Sequence, residues 1–234
     1  MKESTLDVGG TIERRALYEK KGVLCREGTY DEYVVKEIQR SYGMLDVKDK
    51  VVFDIGANIG AFTLWALDNG AKEVHAYEPE PHNFKMLKLN TQRERRRQNS
   101  RVRILEAAVL SECFPGQQIE LFIAPSGKNP GNSSVVPKRG RHSVNIDVVS
   151  FYEECLEYAP EVIKMDVEGA EYDILTEGIP DCVKQVAMEI HLNSRENYAQ
   201  APEFVEMFKD WGCLRTPVLN NPKLWQTLGT WYRT

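Results

Sequence analysis

The stretch Val51–Gly60, V-V-F-D-I-G-A-N-I-G, runs an apolar strand into an acid and then a loop of two glycines around an asparagine. A helical pattern begins at once in A-F-T-L-W-A-L. Strand, tight loop and helix in that order make the cofactor turn of parallel α/β folds. Glycine lets the backbone approach a ligand with no Cβ in the way, and the helix start offers unpaired N–H groups and partial positive charge to a carboxylate. The spacing is D-x-G-x-N-x-G rather than the G-x-G-x-x-G of dinucleotide folds, and it is close to the pattern of methyl-donor sites, with Asn58 in the middle-glycine position. Asp54, Gly56, Ala57, Asn58 and Gly60 are the first cofactor-binding candidates.

Working outward, the next β-rich run ends in H-A-Y-E-P, which places Glu78 and Pro79 at a strand end where an acid accepts hydrogen bonds from both ribose hydroxyls. That placement also occurs in dinucleotide folds. Ala107 and Ala108, past the third strand with Glu106, fall where an adenine would lie. The alternation of strand and helix patterns predicts an α/β fold, a seven-stranded mostly parallel sheet with helices on both faces. The strands are expected at Val51–Asp54, Glu73–Tyr77, Val102–Leu105, Val162–Met165, Val183–Ile190, Cys213–Val218 and Leu228–Tyr232. Helices are expected at Ala61–Asn69, Pro81–Thr91, Phe151–Tyr158, Ala170–Thr176 and Ala201–Trp211.

The organisation read from the chain is a single domain over 51–234 with a β-like insertion at 112–150, whose pieces are Ile119–Ala124 and Val144–Val149. Residues 1–50 form a helical cap over the cofactor site, with Tyr33, Val34 and Ile38 turned inward. The polar loop of the insertion offers Asn132, Ser133 and Ser134 as substrate-binding candidates, although such residues are also ordinary turn formers.

Composition narrows the function. The 234 residues, 42% hydrophobic and 28% charged, with a mean hydropathy of -0.45, describe a soluble globular chain. A net charge of -5 makes nucleic acid an unlikely partner, because phosphate binding draws on a clustered basic surface. The run Arg93–Arg103 is the exception, read as a solvated helix end or as the neighbour of an anionic acceptor. Five widely spaced cysteines with no C-x-x-C pair fit a reducing, cytoplasmic setting and no zinc site. No apolar run is long enough to span a bilayer, and the charged N-terminus does not read as a signal peptide.

The segments D-I-G-A-N-I-G, Y-E-P-E-P-H-N-F, the N-S-S loop, I-K-M-D-V-E-G-A-E-Y-D-I-L and M-E-I-H, in this order, resemble the FkbM-type methyltransferases over about Val23–Leu192. The resemblance implies a class I (Rossmann-like) methyltransferase fold and S-adenosylmethionine as donor, leaving S-adenosylhomocysteine. It also implies, in most members, O-methylation of sugars, polyketides or other small natural products. Cys113 and Pro115 interrupt the stretch after the third strand, and the section from Asn193 has no motif that matches.

A hydroxyl acceptor must lose a proton during methyl transfer, and a base acting in the transition state contributes about 10²- to 10⁴-fold. Asp166, at the end of the fourth strand and facing the same crevice as the glycine loop, is the first candidate beside the methyl group, for catalysis and for the cofactor alike; the other reading is a helix cap. Glu168, Glu189 and His191 complete the catalytic candidates. A strand-end histidine there acts as a base near neutral pH or makes an ordinary hydrogen bond. No metal is favoured, because the neighbouring acid pair of magnesium-dependent sites is missing. The expected partner is a small-molecule or glycan acceptor. N-methylation, an RNA or protein acceptor, a non-catalytic donor-binding module and a nicotinamide-dependent oxidoreductase stay open as alternatives. Oligomeric state is not legible.

Overall fold

The computed structural model describes residues 16–96, 101–111, 118–124, 133, 142–192, 194–219, 221 and 223–233. A hairpin of β1 (Leu17–Lys20) and β2 (Val23–Arg26) comes first, then helix α1 (Asp31–Tyr42). The cofactor-turn stretch follows as β3 (Val51–Ile55) and α2 (Ala61–Asp68), then β4 (Glu73–Tyr77), α3 (Pro81–Asn90), the short α4 (Gln92–Arg95) and β5 (Val102–Leu105). A second small sheet is built from β6 (Ala107–Leu110), β7 (Gln118–Phe122) and β8 (Ser143–Ser150). The chain then runs through α5 (Phe151–Tyr158), β9 (Val162–Met165), α6 (Glu171–Ile174), β10 (Gln185–His191), α7 (Arg195–Glu206), β11 (Gly212–Arg215) and β12 (Gln226–Tyr232).

The main sheet has the order β11-β12-β10-β9-β3-β4-β5. Every neighbour from β10 to β5 is parallel, while β12 runs antiparallel to both β10 and β11. All seven expected strands are present.

Period-two alternation divides the core into two layers. Val52, Val74, Val162 and Ala187 face Val35, Ile38 and Tyr42 of α1, Phe62 and Ala66 of α2 and Met86 of α3. Phe53, Ile55, Tyr77, Ile163, Met165, Met188 and Ile190 face Phe151 of α5, Ile174 of α6 and Ala201 and Phe204 of α7. Phe208 stacks on Trp231 of β12 in this second layer, with centroids 4.0 Å apart and planes at 11°.

Several boundaries differ from the sequence expectation. The last connecting helix begins at Arg195 rather than Ala201, because Ser194 caps it by accepting from the Asn197 N–H at 2.9 Å, and the helix carries Pro202 inside it. The helix after Asp166 is one turn, Glu171–Ile174. β6 was not expected: Ala107–Leu110, all buried, pairs with β8 in parallel.

The N-terminal region is a hairpin as well as a helix. The inward face of α1 is Val35, Ile38 and Tyr42; Tyr33 is 60% exposed and Val34 is only partly covered, which corrects the expected face by one or two positions. Arg26 holds this region down. Its guanidinium pairs with buried Asp31 at the start of α1, with contacts of 2.9 Å from Nε and Nη2, and reaches Asn83 Oδ1 on α3 at 2.8 Å. Asn90 adds a second tie, accepting from Leu24 N–H and donating to the carbonyls of Leu24 and Ile59.

Candidate active site

The loop after β3 is set by backbone angles that few side chains tolerate. Gly56 and Gly60 have φ of 75° and 86°, and Asn58, at 53°, is a residue type that accepts the left-handed region. A Cβ on Gly56 would stand 1.8 Å from the Asp166 carbonyl oxygen, so this glycine is what lets the loop lie against the end of β9. Gly60 packs on Leu87, which a Cβ would meet at 2.7 Å.

Beneath the loop lies a pair that the sequence reading assigned differently. Asp54 and Lys164 are register partners on β3 and β9, 0% and 4% exposed, with Nζ 3.1 Å from Oδ1. Thr63 of α2 donates to the other Asp54 oxygen at 2.6 Å, and Lys164 Nζ donates to the Gly56 carbonyl at 2.5 Å. Burial alone would lower the Lys164 pKa; Asp54, then Asp166, outweigh it and raise the value. Asp54 therefore serves the loop from below and does not line the cavity above it, and neither do Ala57 and Gly60. Lys164 went unnoticed in the sequence. The available signal was a lysine inside the apolar run V-I-K-M.

Above the loop is a cavity of about 340 Å³. One end is walled by Gly56, Asn58, Glu78, Pro79, Ala107 and Ala108. Glu78 is 5% exposed; one oxygen accepts from Asn58 N–H at 2.6 Å and the other from Glu80 N–H at 2.9 Å. Burial raises its carboxyl to about 8, which the two N–H bonds only partly offset. Glu106, next to Ala107, is exposed instead.

The other end is walled by Asp166, Glu168, Glu189, Glu37 and Gln226, with Tyr30, Tyr33 and Val34 of the α1 region across from them. Glu189 is 8% exposed and accepts from Gln226 Nε2 at 2.6 Å. Burial, then Asp166, push its carboxyl up to about 8, against His191. Ser133 also lines the cavity and its hydroxyl accepts from Ala124 N–H at 3.0 Å; Asn132 and Ser134 lie outside the described residues.

His191 is not on the wall. It is 2% exposed, with Nε2 4.0 Å from Asp166 and 3.7 Å from Glu168, and Nδ1 3.3 Å from Glu171. Burial alone would lower its pKa, but Glu171, then Asp166 and Glu168, hold the ring up to about 10. Three carboxylates thus surround the ring. Glu171 is itself fixed, accepting from the N–H groups of His191 at 2.6 Å and Gly169 at 3.0 Å.

Among the described residues of the basic run, none lines the cavity. Arg101 donates to the Ala71 carbonyl at 2.9 Å, and Arg103 pairs with Glu154 at 2.8 Å while lying over the Tyr158 ring.

The sheet order, with its one antiparallel strand and a cofactor loop after β3, defines a class I methyltransferase fold. The family model of the methyltransferase FkbM domain matches residues 54–212, more than half of the chain, and the protein belongs to that family. A curated relative, 31-O-demethyl-FK506 methyltransferase FkbM of Streptomyces tacrolimicus, is 52% identical over 46 residues, which cover 19% of this chain and 18% of that protein. The crystal structure of methyltransferase FkbM from Methylobacillus flagellatus KT superposes with a TM-score of 0.53 at 18% identity, over 85% of this chain and 48% of that one. The matches thus span less than half the length of either relative. Among the described residues no helix is long and apolar enough to cross a membrane.

Proposed function

We propose that the protein transfers a methyl group from S-adenosylmethionine to a hydroxyl of a sugar, glycan or other small natural product. The observation that carries this reading is a cavity whose glycine-loop end and carboxylate end meet at Asp166. Gly56 lets the loop lie against the end of β9, where a Cβ would stand 1.8 Å from the Asp166 carbonyl, and keeps the loop backbone at the edge of the cavity. In this reading Gly56 and Asn58 face the methionine part, Glu78 accepts from the ribose hydroxyls, and Pro79, Ala107 and Ala108 bound the adenine. Asp54, Ala57 and Gly60 hold that loop in shape. When bound, the donor supplies a sulfonium-activated methyl group.

Asp166 and Glu189 take the acceptor side, with Glu168 and Ser133 beside them and α1 as a cap over both. A carboxylate of this group, next to the acceptor hydroxyl, receives its proton as the methyl group is transferred. His191 stands behind them, buried. Support for O-methylation comes from the curated relative, whose name states a 31-O acceptor position. Among the described residues Cys25, Cys155, Cys182 and Cys213 are free thiols, which fits a reducing cytoplasm.

The test is calorimetry with S-adenosylhomocysteine, S-adenosylmethionine and NAD, followed by a methyl-donor assay across sugar, lipid-linked glycan, phenol, amine and RNA acceptors. Binding of the homocysteine product and methylation of a hydroxyl are expected. Tight NAD binding with no response to either sulfur compound sinks the reading.

A further inference from the structure

We propose that Asp166, Glu189 and His191 bind one divalent first-row cation of the Mn²⁺ kind, at the carboxylate end of the cavity. The sequence did not favour a metal, because the neighbouring acid pair of magnesium-dependent sites is missing. Folding joins the three residues. Glu189 and His191 are two positions apart on β10 and so point to the same face. β9 pairs with β10 in parallel with Met165 opposite Met188, and Asp166 is the next residue, beside Glu189.

One ligand atom from each residue lies within 4.8 Å of the others. Two ligands across an ion with bonds of about 2.2 Å stand at most roughly 4.4 Å apart, so movement of a few tenths of an ångström closes the site.

A second observation points to an ion on its own account. His191 Nε2 is buried and has no hydrogen-bond partner among the described residues. Its nearest carboxylate oxygens, at 3.7 Å on Glu168 and 4.0 Å on Asp166, are too far for hydrogen bonds, yet they suit ligands that share an ion with the ring. Behind the ring, the Glu171 carboxylate is 3.3 Å from Nδ1, the place where metal-binding histidines keep an orienting carboxylate. Glu171 is held there by two backbone N–H groups.

Charge points the same way. Glu37, Asp166, Glu168 and Glu189 all line this end of the cavity, while the nearest lysine, Lys164, is engaged with Asp54. One imidazole with carboxylates and no thiolate is the ligand set of Mn²⁺ and its hard neighbours more than of a structural zinc. Asp166 and Glu189 open to the cavity, so the remaining coordination positions face it. Resting on the proposed methyl transfer, these positions would take the oxygen of the acceptor hydroxyl, and the cation would ease loss of its proton to a carboxylate.

The experiment is titration of MnCl₂ into the full chain without donor or acceptor, followed by calorimetry and by loss of the free-Mn²⁺ electron paramagnetic resonance signal. One ion per chain is expected. Glu189→Gln and His191→Gln should weaken uptake at least tenfold, and Glu171→Gln by about 10- to 100-fold through the ring orientation. Glu189→Gln keeps the side-chain volume, and its far-UV circular dichroism is compared with wild type before it is counted. No saturable uptake at millimolar Mn²⁺, or equal uptake in folded Glu189→Gln and His191→Gln, overturns the site. Because no donor is present, such a result leaves the methyl-transfer reading standing, and failure of donor binding leaves the metal result standing.

Discussion

Replacing Lys164 by methionine tests how the cofactor loop is held from below. The substitution keeps most of the side-chain volume but removes a cation that is 4% exposed and 3.1 Å from an Asp54 carboxylate at 0% exposure. It also removes the hydrogen bond to the Gly56 carbonyl. Breaking a buried pair by deleting one partner costs about 3–5 kcal/mol, because the other charge stays buried and uncompensated. For a chain of this size each kcal/mol lowers Tm by roughly 2–4 °C, so a drop of about 6–20 °C is expected. In urea titrations at neutral pH the midpoint should fall while the m-value stays near wild type. The double variant Asp54→Asn with Lys164→Met leaves no buried charge at this pair, and the introduced side-chain amide still has an oxygen to accept from Thr63. It should be more stable than the sum of the two single variants by about 2 kcal/mol or more. A Lys164→Met protein within about 1 kcal/mol of wild type, or strict additivity in the double variant, would refute the reasoning.

Gly56→Ala adds a Cβ 1.8 Å from the Asp166 carbonyl at a φ of 75°, on top of about 1–2 kcal/mol of left-handed strain. Affinity for S-adenosylhomocysteine should fall more than tenfold by calorimetry, and unchanged affinity would remove the loop from the donor site. Glu78→Gln tests the buried carboxyl through pH. A carboxyl raised from about 4.5 to about 8 binds its proton more tightly in the folded state, so its contribution is present below pH 4.5 and is lost as pH rises towards 8. Wild-type urea midpoints should therefore drop relative to Glu78→Gln across that window, and parallel curves would contradict the assignment. Arg26→Met leaves Asp31 buried without its cation, so hydrogen exchange should quicken across residues 31–42 while the β3 and β9 amides stay protected. Equal exchange throughout would show that α1 is held by its apolar face alone. Tyr33→Ala, at a 60% exposed position on the cavity mouth, should leave stability within about 0.5 kcal/mol while lowering ligand affinity, and an affinity equal to wild type would clear Tyr33 of contact.

The sequence by itself determined the sheet and the loop that forms one wall of the cavity. Strand runs such as V-V-F-D-I and V-I-K-M are local signals, and the positive-φ glycines of D-I-G-A-N-I-G announce a turn whatever surrounds them. Glu78, Ala107, Ala108 and Asp166 reached the cavity because a strand's end is fixed by its own pattern and by the parallel register. The tertiary structure alone decided which way charged side chains face. Only the fold puts Lys164 opposite Asp54 on β9 and gathers Glu171, Asp166 and Glu168 around His191. Those partners lie on other strands or in the turn after β9. A carboxylate or imidazole takes its protonation and its role from neighbours within a few ångströms, and no periodicity along the chain records them.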